Sequence, residues 1–411
     1  MNILICCELY APSTGGVQKV LQEIAERLVQ RGHTVTIATT KLPERTYQEL
    51  NGVSIKEFAI SGNLVQGLCG ETEAYRAFIL SEQFDALLVK AAQQSTFDAL
   101  WPILPKICAR KVHIPCGYSQ LHNPAYADYF RQMPDILRTF DHLIFYAHNY
   151  RDSNFAKEHG ITRCSVVPNG ASEKEFAISP VPDIRKRLNV NDRAFVFLTV
   201  GSPHFPKGHL EVAQAYAMLK LPFPSTLILN GDYPHKENPF AQAGLDKALH
   251  CLKKMRKKIT GRPLCGKTAF MQAAQSIQKQ PDKQLIITDL PREEVVGAFF
   301  TADLFVFASH VEYSPLVLFE SAAAGLPFVS VPVGNAEEIA QWTGGGEICL
   351  AETDQNGDTH TDPSVLAKHM VSLAENKTRL NSLGKQGRKS WQQHYSWEHI
   401  ARQYETILAG S

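Results

Sequence analysis

Several things are scarce in this sequence, and each scarcity excludes something. Net charge is nearly absent: 42 Lys and Arg against 41 Asp and Glu leave +1. No overall field therefore draws the chain to nucleic acid or to a polyanion. The nine cysteines (Cys6, Cys7, Cys69, Cys108, Cys116, Cys164, Cys251, Cys265 and Cys349) are odd in number and contain no Cys-x-x-Cys pair. That argues against a zinc ribbon or a thioredoxin-type site, and scattered thiols fit a reducing compartment. None of the fifteen histidines stands in a His-x-x-x-His or His-Glu-x-x-His arrangement, so the local spacing of a catalytic metal site is missing. No apolar run approaches the ~20 residues of a membrane span. The start, Met1-Asn2-Ile3-Leu4-Ile5-Cys6-Cys7, lacks a basic leader and reads as a buried first strand rather than a signal peptide. The expectation is a protein made and kept in the cytoplasm, with peripheral attachment to the inner face of the cell membrane left open.

What is present is ordinary globular material, 44% hydrophobic and 20% charged. At 411 residues the chain is too long for one core, which predicts two domains. Short apolar strands alternate with amphipathic helices. Strands are predicted over 2–7, 34–38, 86–90, 111–115, 142–146 and 164–167, and again over 195–200, 225–229, 284–288, 304–308 and 327–331. The helix Val17 to Gln30 turns Val20, Leu21, Ile24, Ala25 and Leu28 to one face. This rhythm implies parallel sheets covered on both faces. Ala177 to Pro182 reads as a linker. Some fifty residues between Gly231-Asp232 and the strand at Gln284 exceed a usual connection and read as an insertion, with a basic helix over 253–258. Trp391 to Leu408 reads as one final helix.

The stretch from Leu304 to Pro327 carries the chemistry. A buried strand ends near Ala308, and a polar loop holds Glu312. Ser314 occupies an N-cap position with Pro315 first in the helix, and Gly325 followed by Pro327 stops it. A helix that starts at the carboxyl end of a parallel strand points free N–H groups and its positive dipole end at a phosphate. Glu320 stands within the apolar run of that helix. A charge there requires a partner, and a ribose diol is one it can grip. Glu312 can reach hydroxyls beyond the phosphates. The competing reading makes both glutamates plain surface residues.

Two glutamates in the context Ser-x-x-Glu-x-x-x-Leu-x-x-x-Glu-x-x-x-x-Gly-x-Pro resemble the signature of retaining family-4 glycosyltransferases with the GT-B fold. The resemblance extends along nearly the whole chain. Its further marks are Gly15-Gly16, Gly32-His33-Thr34-Val35, Val167-Pro168-Asn169-Gly170 with Phe176, Val200-Gly201, Lys207-Gly208 and Tyr395-Ser396-Trp397. It implies an α/β GT-B protein: two tandem Rossmann-like doubly wound domains facing a central cleft. Residues 1–176 would form the acceptor-side domain and 177–390 the nucleotide-sugar domain, with the insertion at about 233–283. Residues 391–411 would form a closing helix returning to the first domain.

The resemblance also implies roles. Gly15 and Gly16 would let backbone approach the donor phosphate or the acceptor, Lys207 would neutralise the diphosphate, Glu320 would hold the ribose and Glu312 the donor sugar. The N–H groups of Ser314, Leu316 and Val317, at the helix opened by Pro315, would face the distal phosphate. Gly201 and Ser202 belong to the same donor loop. Ser202 replaces an arginine usual in the family, and His204, His209 or the insertion could supply the missing cation. Cys116-Gly117 stands where the family usually has a histidine before a glycine. His113 and His122 flank it, and His122 joins Lys207 and Glu312 as the catalytic candidates, with backbone groups as the alternative. No metal or cofactor is implied. The expected partners are a nucleotide-sugar donor and a saccharide or glycolipid acceptor, with no nucleic acid.

Gly261 to Thr268 matches the Walker A pattern, but a basic helix precedes it where a P-loop needs a buried strand. The basic helix is read first as a solvated face, with contact to an anionic membrane or phosphorylated acceptor as its rivals. A nucleotide-sugar epimerase of the same fold, needing no acceptor, is one functional alternative. A non-catalytic nucleotide-sugar binder, suggested by Ser202 and Cys116, is the other.

Overall fold

The structure, a computed structural model, describes residues 1–177, 182–202, 205–231, 265–355 and 357–410. The chain divides into two compact units, Met1–Gly170 with His394–Ser411 and Ala171–Gln393.

The first unit is built on strands β1 (Asn2–Cys6), β2 (Thr34–Thr40), β3 (Glu49–Leu50), β4 (Val53–Phe58), β7 (Ala86–Lys90), β8 (Arg110–Ile114), β9 (His142–Phe145) and β10 (Cys164–Val166). Between them in the chain, β5 (Ile60–Asn63) and β6 (Gly67–Gly70) make a separate antiparallel hairpin. The main sheet runs β10-β9-β8-β7-β1-β2-β4-β3 and is parallel apart from the short β3. The central strand β1 pairs Asn2 with Thr34 on one side and Ile3 with Ala86 on the other. Ile3 to Cys6 are fully buried. A strand with helices on both faces has no wet side, which is why its apolar residues run without alternation. Each such side chain contributes about 1.5–3 kcal/mol when fully buried.

The expected strands of this unit form within two residues of their anticipated ends. β3, β4 and the hairpin lie outside the expected strands. β4 alternates, with Val53, Ile55 and Phe58 buried and Ser54 and Lys56 exposed, so it lacks the continuous apolar run of the others.

The second unit is a six-stranded parallel sheet: β11 (Phe195–Val200), β12 (Ser225–Asn230), β13 (Lys283–Thr288), β14 (Leu304–Phe307), β15 (Phe328–Ser330) and β16 (Gly346–Ile348). Its order is β13-β12-β11-β14-β15-β16. The chain winds outward in one direction from β11 and then in the other from β14. That order is the doubly wound dinucleotide-binding arrangement, with its reversal point between β11 and β14. A small antiparallel pair, β17 (Glu352–Thr353) with β18 (Thr359–His360), follows.

Residues 178–181 of the expected linker, the basic helix over 253–258 and residues 261–264 of the Walker-like stretch lie outside the described residues. From 265 the chain is helix Cys265–Gln278, leading into β13.

One expectation is corrected at the carboxyl end. The tail is two elements: a π-helical turn, Trp391–Tyr395, then helix Trp397–Ala409. Ser396 breaks them apart because its side chain accepts from the His399 N–H at 3.2 Å, an N-cap that starts a new helix. Trp397, Ile400, Ala401 and Tyr404 are buried, and the helix packs within the first unit on helix Gly16–Gln30, β7 and β8. Arg31 pairs with Glu405 at 2.5 Å, and Arg110 donates to the Ile407 carbonyl at 2.8 Å. Among the described residues no helix is long and apolar enough to cross a membrane.

Candidate functional site

The reversal point of a doubly wound sheet leaves a crevice at the carboxyl ends of the two strands beside it. In the second unit those strands are β11 and β14. The loop after β11 holds Lys207, and the loop after β14 holds Glu312. The two side chains, 105 residues apart in sequence, meet as an ion pair at 2.5 Å. The backbone brings them together. Gly208 has a left-handed φ of +71°, and a Cβ there would stand 1.9 Å from the Ala308 carbonyl oxygen. Only glycine lets the β11 loop lie this close against the end of β14. The His310 N–H donates to Pro206 O at 2.7 Å and Ser309 Oγ to the same oxygen at 2.9 Å, so the two loops are stitched at the residue before Lys207.

Glu312 is also held from its own loop, where Ser309 Oγ donates to Oε1 at 3.0 Å. Behind it stands Gly334, with φ +58° and room for no Cβ: one would lie 2.4 Å from Tyr313 O. The Asn335 N–H donates to that same oxygen at 2.9 Å.

The helix beyond runs Leu316–Ala324 and ends on Gly325 at φ +70°. Its cap differs by one residue from the expectation. Pro315, at ψ 115°, is the N-cap residue, Leu316 is the first helical residue, and no side chain caps the start. A proline ring at this place fixes the entry without supplying an acceptor. The first turn also has no acidic residue. Ser314, Leu316 and Val317 are partly exposed, so the electropositive end is open rather than packed away.

Glu320 is buried, as its apolar neighbours imply, and its partner is Arg292. Arg292 Nη2 donates to Glu320 Oε1 at 2.5 Å and to Glu175 Oε2 at 2.7 Å, and Nε donates to Glu175 Oε1 at 3.2 Å. Burial alone would lower the basicity of this guanidinium, but the Glu320 and Glu175 carboxylates more than offset it and hold it above its ordinary value. Glu320 Oε2 accepts no hydrogen bond among the described residues. Arg292 opens helix Arg292–Thr301 after β13, and nothing in its local sequence points to Glu320.

Gly201 and Ser202 follow β11, partly exposed, and Gly201 N donates to Asn230 O at 3.0 Å. A Cβ on Gly201 would make only ordinary contacts, so no neighbour in the protein requires glycine there. The substitute cations considered for Ser202 fare differently. His204 lies outside the described residues. His209 is buried, and burial, with Lys207 adding to it against Glu211, pulls its imidazole down to about 4, which favours the neutral form in the ligand-free protein.

Gly15, Gly16 and His122 belong to the first unit. Gly15 is the N-cap residue of helix Gly16–Gln30 and is extended, with no side-chain cap at that end. The loop follows β1, which lies with β7 at the first sheet's own reversal point. Cys116 and Gly117 both have positive φ, +66° and +92°, and Asp152 accepts from the Gly117 N–H at 2.8 Å. His113 is a core residue: it stacks on Phe97 at 4.3 Å, its Nδ1 lies 3.0 Å from Val89 O, and burial pulls it down to about 3. His122 is exposed and makes no hydrogen bond among the described residues.

Comparison with known proteins gives a consistent set of likenesses. Residues 14–175 match the family described as Glycosyltransferase Family 4, and residues 180–390 match Glycosyl transferases group 1. N-acetyl-alpha-D-glucosaminyl L-malate synthase of Bacillus anthracis is 21% identical over 96% of this chain and 94% of its own length. Lipopolysaccharide 1,2-N-acetylglucosaminetransferase of Salmonella typhimurium is 25% identical over 59% of this chain and 55% of its own. Sucrose-phosphate synthase of Thermosynechococcus elongatus superposes with a TM-score of 0.71 at 17% identity, with full coverage of both chains. An Anabaena protein, HepE, solved in complex with UDP, superposes with a TM-score of 0.69 at 15% identity, again over both full chains.

Proposed function

Since the chain belongs to the family Glycosyl transferases group 1, with the GT-B fold and the enzyme class of a glycosyltransferase, we propose that it moves a sugar from a nucleoside-diphosphate donor to a saccharide or glycolipid acceptor with retention at the anomeric carbon. The observation that carries this reading is the Lys207–Glu312 pair at the carboxyl ends of β11 and β14, beside the uncapped start of helix Leu316–Ala324. In the crevice a donor diphosphate would take Lys207 and the helix N–H groups as its counter-charge. The transition state is oxocarbenium-like, and negative charge grows on the departing diphosphate. Fixed positive groups aimed at that charge supply the largest catalytic term without a metal. Glu312, released from Lys207, would accept from donor-sugar hydroxyls. Glu320, with Oε1 on Arg292 and Oε2 open, would accept from a ribose hydroxyl.

The relatives support a donor and a setting. Two are named for N-acetylglucosaminyl chemistry and one neighbour was solved with UDP. We take a UDP-sugar as the donor, UDP-N-acetylglucosamine first, used at the cytoplasmic face in polysaccharide or glycoconjugate assembly. The test is incubation with UDP-N-acetylglucosamine and a panel of saccharide and glycolipid acceptors, with the product anomer read by NMR. Release of UDP with an α-linked product supports the reading. An inverted product, or conversion of the donor alone without acceptor, overturns it.

A further inference from the structure

A second polar cluster lies in the second unit, and the donor reading leaves it unused. Glu211 is on helix His209–Met218, His310 is just past β14, and His360 ends β18. One ligand atom from each lies within 4.8 Å of the other two. His310 Nε2 stands 2.8 Å from Glu211 Oε1, and the His310 and His360 ring centroids are 4.5 Å apart, tilted by 56°. The His310 side chain is 2% exposed and that of Glu211 13%.

A plain hydrogen-bonded His–Glu pair accounts for only part of this. Glu211 Oε2 is buried and has no hydrogen-bond partner among the described residues. A buried acceptor left so is destabilising, because it has given up water without gaining a partner. A second imidazole also faces the pair, and two imidazoles with a carboxylate form a donor set that a positive ion satisfies at once. The cluster continues through His360: its Nε2 is 3.4 Å from Asp354 Oδ2, and Asp354, Asp358 and His360 also bring ligand atoms within 4.8 Å of one another. Asp358 N–H donates to Asp354 Oδ1 at 3.0 Å, which holds that carboxylate in place.

We propose that Glu211, His310 and His360 bind one divalent transition-metal ion of the zinc class. The donor types decide the class: imidazole nitrogen with carboxylate oxygen suits zinc, whereas magnesium and calcium prefer oxygen alone. Bonds of about 2.0–2.2 Å in a tetrahedron set the ligand atoms about 3.4 Å apart. The 2.8 Å His310–Glu211 pair would open toward that spacing, and His360 already brings a ligand atom within 4.8 Å of both. Asp354, whose Oδ2 is 3.4 Å from His360 Nε2, is a carboxylate that could complete the fourth position. The ion would take no part in sugar transfer. It would fasten helix His209–Met218, the β14 exit and the β17–β18 hairpin to one point. His310 is two residues from Glu312 and its N–H holds Pro206, so the fastening reaches both loops of the Lys207–Glu312 pair. The proposal stands on these residues alone and does not depend on the donor or the reaction.

The experiment uses full-length, tag-free protein, stripped with chelator and dialysed against zinc sulfate, with metal counted after gel filtration. About one zinc per chain is expected in the native protein. Cobalt(II) as a probe should give the visible absorption of a tetrahedral nitrogen–oxygen site. His360→Ala, a partly exposed position, and Glu211→Gln should each weaken binding by about tenfold or more while keeping the native circular dichroism spectrum. Zinc should raise the Tm of the native protein and leave that of His360→Ala unmoved. Equal zinc content and equal Tm response in native protein and both variants, or no zinc retained by the native protein, overturns the proposal.

Discussion

Lys207 does two jobs at different times: in the free protein it is the counter-ion of Glu312, and in the proposed reaction it is the counter-ion of a diphosphate. Lys207→Ala is therefore expected to lower kcat/KM by about 10²–10³-fold, in the range seen when one charge-stabilising group is removed. A double-mutant cycle with Glu312→Gln should give non-additive losses, because each group loses its partner in the single variants. Additive losses in steady-state kinetics would separate the two residues. Arg292 gives a sharper contrast. Glu320→Gln should weaken UDP binding in calorimetry with little change in Tm. Arg292→Ala should weaken binding and lower Tm together, because it strands the buried Glu320 and the Glu175 carboxylate without their shared cation. His209 bears on pH. Its folded pKa of about 4 lies below the ordinary 6.5, so between those values the unfolded chain binds the extra proton. The stability this imidazole contributes is complete above pH 6.5 and is lost as pH falls toward 4. Denaturant midpoints at pH 7 and pH 5 should differ less in His209→Asn than in the native chain.

The residues legible in the sequence were those with a local signature. Lys207-Gly208 and the two glutamates could be read because their spacing places them on one loop or one helix. Arg292 could not, because it sits on another helix, 28 residues before Glu320, and only the fold brings them together. The zinc-class cluster was invisible for the same reason. Its donors at 211, 310 and 360 have no short spacing between them.

At the scale of elements, the buried parallel strands could be read from unbroken apolar runs, and their ends differ from expectation by a residue or two. β4 was missed because its alternating exposure resembles a loop in a sequence full of continuous runs. The final helix is shorter than expected: its apolar face continues through Trp391, but the Ser396 side chain caps a new start after it. The loops around the site depend on Gly208 and Gly334. Gly208→Ala must push against the Ala308 carbonyl and strain a left-handed backbone, so it should lower Tm and move Lys207. The same change at Gly201, which has space for a Cβ, should leave Tm nearly unchanged and affect UDP affinity more. Melting curves and calorimetry on both variants separate the two kinds of glycine. Equal Tm losses would refute the distinction.

For the whole molecule, the main fact is that the first unit is discontinuous in sequence: residues 1–170 form it together with the helix Trp397–Ala409. Ile400 is fully buried there, and Ile400→Ala should cost the first unit about 2–5 kcal/mol in denaturant unfolding. The second unit, residues 171–393, should keep its own transition. This arrangement has a consequence during synthesis. The ribosome delivers residues 1–170 early, but the helix that covers β7, β8 and Arg110 follows only after residues 171–393. While residues 171–393 are being translated, the nascent first unit has its apolar flank bare, a surface on which a chaperone can hold it until the helix itself is delivered.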